Sequence, residues 1–332
     1  MGSGPKDMST RTTTRQAGVD AIRVLGIIAV VVGHVGFEGA WVRSAIYTWH
    51  VPLFFFLTGY FWAPQRMMSI EMRKRLATLG LPYVAWLLLI TAVFLPWWAQ
   101  REGALSVVDA VRPFLGGAYV GRPYSAFWFI SALFVVAITY RLMQNLPTWA
   151  HWSVALVGLA VAYAAPTFLT AIPLGAGVAF PSLIFVLSGA VFRRERSRFR
   201  RPLMVAACLL AASAATVFLG YSGPLDIKQA DFGTPVSSVV VAIAVSISLI
   251  LIGETVVPKL GEQFGKVCVV LAAGGTMVVL THSAILWAVG AKPGGSWLDF
   301  LLALIIPWGA ALVLARTPLS ATLLGGARHP QK

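Results

Sequence analysis

Long apolar stretches separated by short polar breaks dominate the chain. A helix needs about 20 predominantly apolar residues to cross the hydrocarbon core of a bilayer. Ten stretches reach this length, or approach it when their polar breaks are included. They cover residues 20–37, 50–63, 79–98, 126–144, 150–168, 178–192, 203–220, 236–252, 268–290 and 298–315. The pattern predicts an all-α, polytopic integral membrane protein with about ten transmembrane helices.

The composition agrees with this prediction. The chain has 332 residues, of which 58% are hydrophobic and only 11% are charged. Soluble globular domains are about 45–50% apolar and about 25% charged. No internal repeat or linker marks a second domain. We predict a flexible cytoplasmic N-terminus at 1–18, one transmembrane domain at 19–316 and a cytoplasmic tail at 317–332.

The net charge of +14 follows the predicted topology. With the N-terminus placed in the cytoplasm, 20 of the 26 Lys and Arg residues fall on the inner side. This asymmetry is typical of cytoplasmic loops, and it predicts a cell-membrane protein with both termini in the cytoplasm. It also argues against nucleic acid as a partner. The basic residues left on the outer side are Arg43, Arg101, Arg112, Arg122, Lys228 and Lys292.

An arginine and a histidine interrupt the first apolar stretch. Arg23 and His34 are eleven residues apart. On an α-helix this is roughly three turns, so both side chains share one face and lie ~16 Å apart along the axis. Ionisable groups within a membrane helix are costly, and their default interpretation is functional. The alternative is a buried pair that only ties helices together.

Two carboxylates lie near this pair in sequence. Glu38 follows His34 by four residues and can reach the imidazole if the helix continues. A carboxylate bound to one ring nitrogen raises the basicity of the other, which suits a general base. Asp20 either pairs with Arg23 or caps the helix N-terminus, and we favour the cap.

Other candidates lie at the predicted outer surface or in the outer half of the predicted membrane domain. His50 begins the second stretch, where it either lines an acceptor site or sits at the interface. His282, deep in the ninth stretch, either shares a cavity with His34 or makes a core hydrogen bond. The outer loop 99–125, which includes Arg122, is placed to select an acceptor.

On the inner side, Arg73, Lys74 and Arg75 precede the third stretch and could hold phosphates. Topology alone explains a second basic cluster, Arg193–Arg201, and contact with anionic lipid is the next alternative. The sequence has no metal-ligand spacing, P-loop or Gly-x-Ser-x-Gly motif, and we expect no metal cofactor.

Several short motifs occur in a distinctive order along the chain. They are Asp20-x-x-Arg23 followed by His34, residues 54–60, residues 73–76 with Leu81-Pro82-Tyr83, Phe127-Trp128-Phe129-Ile130, and residues 276–282. Together these motifs resemble the acyltransferase-3 family of membrane-bound O-acyltransferases, in its stand-alone form. The chain departs from the family pattern at Thr78, where the family often has a second arginine, and at residues 277–279, which lack the usual tyrosine.

The resemblance implies transfer of an acyl group from cytoplasmic acetyl-CoA, or another acyl-CoA, to a hydroxyl. The acceptor would be a carbohydrate, a cell-envelope component or a secreted metabolite. His34 would act as general base or acyl relay with Glu38 and Arg23 beside it. Phosphates would be held by Arg75, Arg73, Lys74 and Arg23. The acceptor would contact His282, His50, Trp128 and Arg122.

Two other functions are compatible with the pattern. A proton-coupled transporter or flippase would use Arg23, His34 and Glu38 as an intramembrane relay. The sequence shows no paired halves with matched Gly- or Pro-broken helices, the usual sign of a transporter. A structural or lipid-binding subunit would leave Arg23 and His34 unexplained. Membrane lipids are expected partners in every case, and the oligomeric state stays open.

Overall fold

The computed structural model describes residues 5–37, 40–102 and 106–326. Within these ranges every regular element is a helix and no strand forms, which confirms the all-α prediction. The α-helices, in chain order, are α1 (Pro5–Val35), α2 (Ala40–Tyr47), α3 (His50–Tyr60), α4 (Met68–Arg75), α5 (Leu81–Glu102), α6 (Val107–Leu115), α7 (Phe127–Leu142), α8 (Thr148–Ala164), α9 (Pro166–Thr170), α10 (Ala179–Glu195), α11 (Pro202–Phe218), α12 (Ser237–Val256), α13 (Glu262–Ala273), α14 (Gly275–Ala288), α15 (Trp297–Leu314) and α16 (Ser320–Leu323).

Each of the ten predicted segments coincides with a helix or helix pair. Among the described residues, five helical stretches are long and apolar enough to cross a membrane, and the α13–α14 pair makes a sixth if it is one span. The remaining segments correspond to the shorter apolar helices α3, α7, α8 and α11. These helices indicate a multi-pass membrane protein. Ten crossings and the side on which the termini lie stay predictions.

Helix α1 lies inside the bundle, against α3, α12, α13 and α14. Val31 and Val35 are fully buried there. The helix begins at Pro5, so most of the predicted flexible N-terminus is helical, although its flexibility stays a prediction. Asp20 lies within α1 and not at its start. The prediction that Asp20 caps the helix is therefore wrong, because a cap requires a residue at the helix end.

The basic segment before the third predicted span is helical and not a loop. Helix α4 continues through one π-helical turn, Leu76–Gly80, into α5. The resulting candidate span, Met68–Arg101, has 34 residues, more than the roughly 20 that a bilayer core requires. Arg73, Lys74 and Arg75 therefore sit on a helical extension at one end of this span.

Helices α13 and α14 form a bent pair. They meet at Gly274 with a bend of 60°. The indole Nε1 of Trp308, on α15, donates a hydrogen bond of 3.0 Å to the carbonyl of Leu271 at the break. A backbone group at membrane depth must find a protein partner, and Trp308 supplies one. The ninth predicted segment is therefore two helices and not one straight span.

Candidate functional site

Helix α1 runs unbroken from Arg23 to His34, so both side chains belong to one helix. The face between them is packed. Ile27 and Val30 are each only 3% exposed. A methyl group on Gly275, the first residue of α14, would lie 2.4 Å from Cδ1 of Ile27. The start of α14 therefore packs directly against α1 between the two polar positions.

Three of the predicted site histidines come together at one end of the bundle. The rings of His34 on α1 and His282 on α14 meet edge to face, with centroids 4.8 Å apart. His50, the first residue of α3, lies close enough to His34 for their charges to interact. His50 and His282 are buried. We call the end of the bundle that holds these three residues the histidine end.

The three histidines share one hydrogen-bonding arrangement. Each places Nδ1 2.8–2.9 Å from the backbone carbonyl four residues earlier, which belongs to Val30 for His34, Ile46 for His50 and Val278 for His282. A carbonyl can only accept, so Nδ1 carries the proton, and in the neutral ring Nε2 carries the lone pair. The Nε2 of His282 is buried without a partner among the described residues. This tautomer suits a proton acceptor.

The expected partner of His34 is not observable, because Glu38 lies outside the described residues. Of the two ring nitrogens, Nδ1 is already bound to the carbonyl of Val30. Contact between Glu38 and His34 therefore stays a prediction, and only Nε2 of His34 is left for it.

Two cations from loops lie beside the histidine end. Arg122 donates from its two terminal nitrogens to the carbonyl of His34, at 2.5 Å, and to that of Ala291, at 2.7 Å. Lys228 donates to the carbonyl of Val120 at 2.6 Å and acts electrostatically on His34. Burial lowers the pKa of Arg122 and that of Lys228, and Asp226 opposes the shift for Lys228. Two partly buried positive charges therefore act on His34, and the carboxylate of Asp226 opposes them.

Trp128 is packed at the start of α7. It is the second residue of α7, is 5% exposed, and packs beside Phe129 and against the backbone of Gly175. No hydrogen bond or ring contact of the described residues joins it to His34, His50 or His282. Its predicted contact with an acceptor stays a prediction.

Arg23 is the centre of the opposite end, which we call the basic end. Its guanidinium pairs with Asp20 at 2.8 Å and lies 4.7 Å from the ring centre of Phe61. The side chain keeps 40% of its surface exposed. Lys74 lies close enough for its charge and that of Arg23 to interact. Arg23 is thus partly neutralised, yet accessible to an anion.

The sequence analysis missed a buried carboxylate at this end. Glu71, on α4, is fully buried and contacts Arg66 at 2.6 Å, Arg75 at 2.7 Å and Arg141 at 3.6 Å. The sequence signal was the four-residue spacing from Glu71 to Arg75, which allows an intrahelical pair. The Nε of Arg75 therefore donates a hydrogen bond to Glu71. The side chains of Arg73 and Lys74, by contrast, are exposed.

Comparison with known protein families shows where the chain belongs. The sequence model of the acyltransferase-3 family, described as an acyltransferase domain, matches residues 16–320. The chain belongs to the acyltransferase-3 family. The match confirms the resemblance drawn from short motifs and extends it across the middle of the chain. No curated protein and no solved structure matches this chain.

Membership in the acyltransferase-3 family implies acyltransferase activity. The described residues of this family member contain no group of three His, Cys, Asp or Glu side chains that could hold a metal ion. The chemical groups at the histidine end are three imidazoles with two cations nearby. These groups are suited to proton transfer and to stabilising negative charge.

Proposed function

We propose that the protein transfers an acyl group, most simply acetyl, from acyl-CoA to the hydroxyl of a carbohydrate, cell-envelope component or secreted metabolite. The observation that carries this proposal is the contact of 2.9 Å between Nδ1 of His34 and the carbonyl of Val30. The Nδ1–H of His34 is bound to Val30, so its Nε2 lone pair is available as a base. Membership in an acyltransferase family supplies the reaction class.

In the proposed reaction, Nε2 of His34 removes the proton of the acceptor hydroxyl while the oxygen attacks the thioester carbonyl. The carbon–sulfur bond breaks, and the proton held on Nε2 passes to the departing thiolate, which gives the coenzyme A thiol and restores neutral His34. In the second form of the proposal, Nε2 attacks the thioester first and expels the thiolate, and the acceptor oxygen then attacks the acyl-imidazole. The ester forms, Nε2 is released, and the proton of the acceptor hydroxyl passes to the thiolate. The cationic Lys228 would favour the negative charge that develops on the carbonyl oxygen.

The basic end provides the groups for the donor's phosphates. Arg23 is accessible despite its pair with Asp20, and Lys74 lies nearby. Arg73 is exposed on the same helical extension. Arg75 would contribute less than the sequence indicates, because Glu71 already binds its Nε. We therefore assign the phosphates to Arg23, Arg73 and Lys74 in the first place.

The donor arm must pass along α1 to reach His34. The distance of ~16 Å between the two positions follows from the helix rise. Because Ile27 and Val30 are packed, the proposal requires neighbouring helices to separate there. Separating the helices at the break at Gly274 requires the least free energy. The helical hydrogen-bond ladder is already interrupted there, beside Ile27.

The test uses purified protein with radiolabelled acetyl-CoA and a panel of hydroxyl-bearing acceptors. We expect acceptor-dependent transfer, and a loss of about 10²–10⁴-fold in His34→Ala. Coenzyme A should raise the melting temperature of both the wild type and His34→Ala, because the base does not hold the phosphates. It should stabilise Arg23→Gln much less. Full transfer by His34→Ala would contradict the proposal.

The alternative is a proton-coupled transporter or flippase. One observation favours it, because the broken α13–α14 pair is a feature of transporter sites. The described residues show only this one bent pair of apolar helices. The transporter hypothesis is correct if coenzyme A does not stabilise the protein, acetyl-CoA is not consumed, and a solute crosses the membrane of proteoliposomes that contain the protein.

A further inference from the structure

A cavity of about 320 Å³ lies at the basic end, and its lining includes none of His34, His50 and His282. It opens between α3, α7, α8 and α10. Its wall combines aromatic rings with basic side chains, and none of the described residues that line it is acidic. The residues that define its chemistry are Trp62, Tyr140, His151, Trp152, Arg193 and Arg194.

This cavity and Arg23 use different residues of the same segment. At the end of α3, Gly59 and Trp62 line the cavity, whereas the ring of Phe61 lies under Arg23. None of Arg23, Arg73, Lys74 and Arg75 lines it. The cavity is therefore separate from the groups to which we assign the donor's phosphates.

The aromatic side of the cavity is held in place by neighbouring groups. The rings of Trp62 and Tyr140 are 4.4 Å apart, and Tyr140 meets His151 edge to face at 5.6 Å. The ring of His151 is fixed by a 2.6 Å contact between Nε2 and the carbonyl of Met143. The buried guanidinium of Arg141 lies 3.9 Å from the ring centre of Trp62. These contacts preorganise the wall.

Two guanidinium groups provide the charge. Arg193 contacts the hydroxyl of Tyr60 at 3.3 Å, and Arg194 has no carboxylate partner among the described residues. Both follow the apolar residues Leu187, Ala190 and Val191, which line the same cavity. One guanidinium group can donate two parallel hydrogen bonds to two oxygens of a phosphate. Tryptophan and tyrosine concentrate where a membrane meets water.

We propose that this cavity binds the headgroup phosphate of an anionic phospholipid, with the glycerol and first acyl carbons against Leu187, Ala190 and Val191. Basic pockets between transmembrane helices are suited to such headgroups. A free nucleotide would use the charge and the rings but not the apolar wall. The proposal is independent of acyl transfer, and it goes beyond the topological role of the basic residues.

The test measures lipid binding to purified, delipidated protein in detergent. The probes are phosphatidylglycerol, phosphatidylcholine and adenosine 3′,5′-bisphosphate, each followed by melting temperature and native mass spectrometry. The main variant is Arg194→Gln. The matched control is Arg200→Gln, which removes an exposed arginine from the same basic cluster but outside the cavity.

We expect phosphatidylglycerol to bind and stabilise the wild type and Arg200→Gln alike. Arg194→Gln should bind it about tenfold more weakly, since one charged hydrogen-bonding group is lost. Phosphatidylcholine, which has no net charge, should bind much more weakly to all three proteins. Arg194→Lys, which keeps the charge, should recover part of the affinity.

Equal affinity of Arg194→Gln and wild type for phosphatidylglycerol would overturn the proposal. So would stabilisation by adenosine 3′,5′-bisphosphate that is lost in Arg194→Gln, because the cavity would then hold the donor's nucleotide. If Arg194→Gln failed to fold, Trp152→Leu would serve as the second variant. Unchanged phosphatidylglycerol affinity in Trp152→Leu would likewise count against the lipid site.

Discussion

At the scale of single residues, the carboxylate of Glu71 has three arginine neighbours. It is fully buried and faces Arg66, Arg75 and Arg141, the last of which is itself fully buried. Removing one partner of a buried ion pair leaves an uncompensated charge, which is far more costly than losing an exposed pair. Glu71 therefore stabilises the basic end and does not take part in the proposed chemistry.

Glu71→Gln should lower the free energy of unfolding by about 3–5 kcal/mol, because the buried Arg141 loses its counter-ion. Unfolding in mixed detergent micelles measures this change. The matched control is Glu262→Gln, which removes a carboxylate with the same four-residue spacing to a cation, Lys266, on an exposed surface. The control should be as stable as the wild type. Equal effects of the two substitutions would contradict the role given to Glu71.

The sequence was informative about Arg23 and His34 because both lie on one helix, where spacing alone determines the face. It could not show which group binds Nδ1 of His34. A carboxylate at Glu38 and a carbonyl at Val30 are both four residues away, and the structure shows the carbonyl. The pair of Asp20 with Arg23 was one of two alternatives, and the position of the helix start decided between them.

At the scale of elements, α3 and α10 pack with their backbones in close approach. A methyl group on Gly59 would lie 1.8 Å from the carbonyl oxygen of Val186, and one on Gly189 would lie 2.0 Å from that of Phe56. Glycine at such positions allows helices in a membrane to approach closely. His50 lies at one end of α3, and the cavity-lining Trp62 lies just past the other end.

Gly189→Ala should force α3 and α10 apart and lower the free energy of unfolding by about 1–3 kcal/mol, as overpacking does. Thermal unfolding in detergent measures the loss. Gly309→Ala is the control, since a methyl group on Gly309, within α15, would meet no atom within 4 Å. The control should be unchanged or slightly more stable. A wild-type melting temperature for Gly189→Ala would contradict the close crossing.

The bend between α13 and α14 cannot be predicted from hydropathy. Residues 268–290 form one continuous apolar segment in the sequence, and hydropathy does not reveal a 60° bend within it. The local signal was the pair Gly274-Gly275, because glycine weakens a helix interior. Whether such a pair bends depends on a partner for the interrupted backbone, here Trp308 on a different helix.

At the scale of the whole molecule, the bundle has two chemically different ends. His34, His50 and His282 occupy one, with Arg122 and Lys228 beside them. Arg23, the Glu71 cluster and the lipid cavity occupy the other. A reaction that takes its donor from one side of a membrane and its acceptor from the other needs different binding groups at the two ends of the bundle.

The predicted orientation can be tested with single cysteines in a chain carrying Cys208→Ser and Cys268→Ala. Lys292→Cys, in the loop that precedes α15, should react with a membrane-impermeant maleimide in intact cells. Arg200→Cys, between α10 and α11, should react only after permeabilisation, because basic loops stay in the cytoplasm. The reverse labelling pattern would place the termini outside and exclude a cytoplasmic donor site at Arg23.

The sequence by itself determined the features that depend on position along one segment. These are the helical class, the ten apolar segments, the shared face of Arg23 and His34, and the family. The tertiary structure alone decided which segments meet. His282 is far from His34 in sequence and Arg141 is far from Glu71, so neither contact follows from helical spacing. Hydropathy and periodicity describe each helix separately, whereas these contacts arise from the packing of helices against one another.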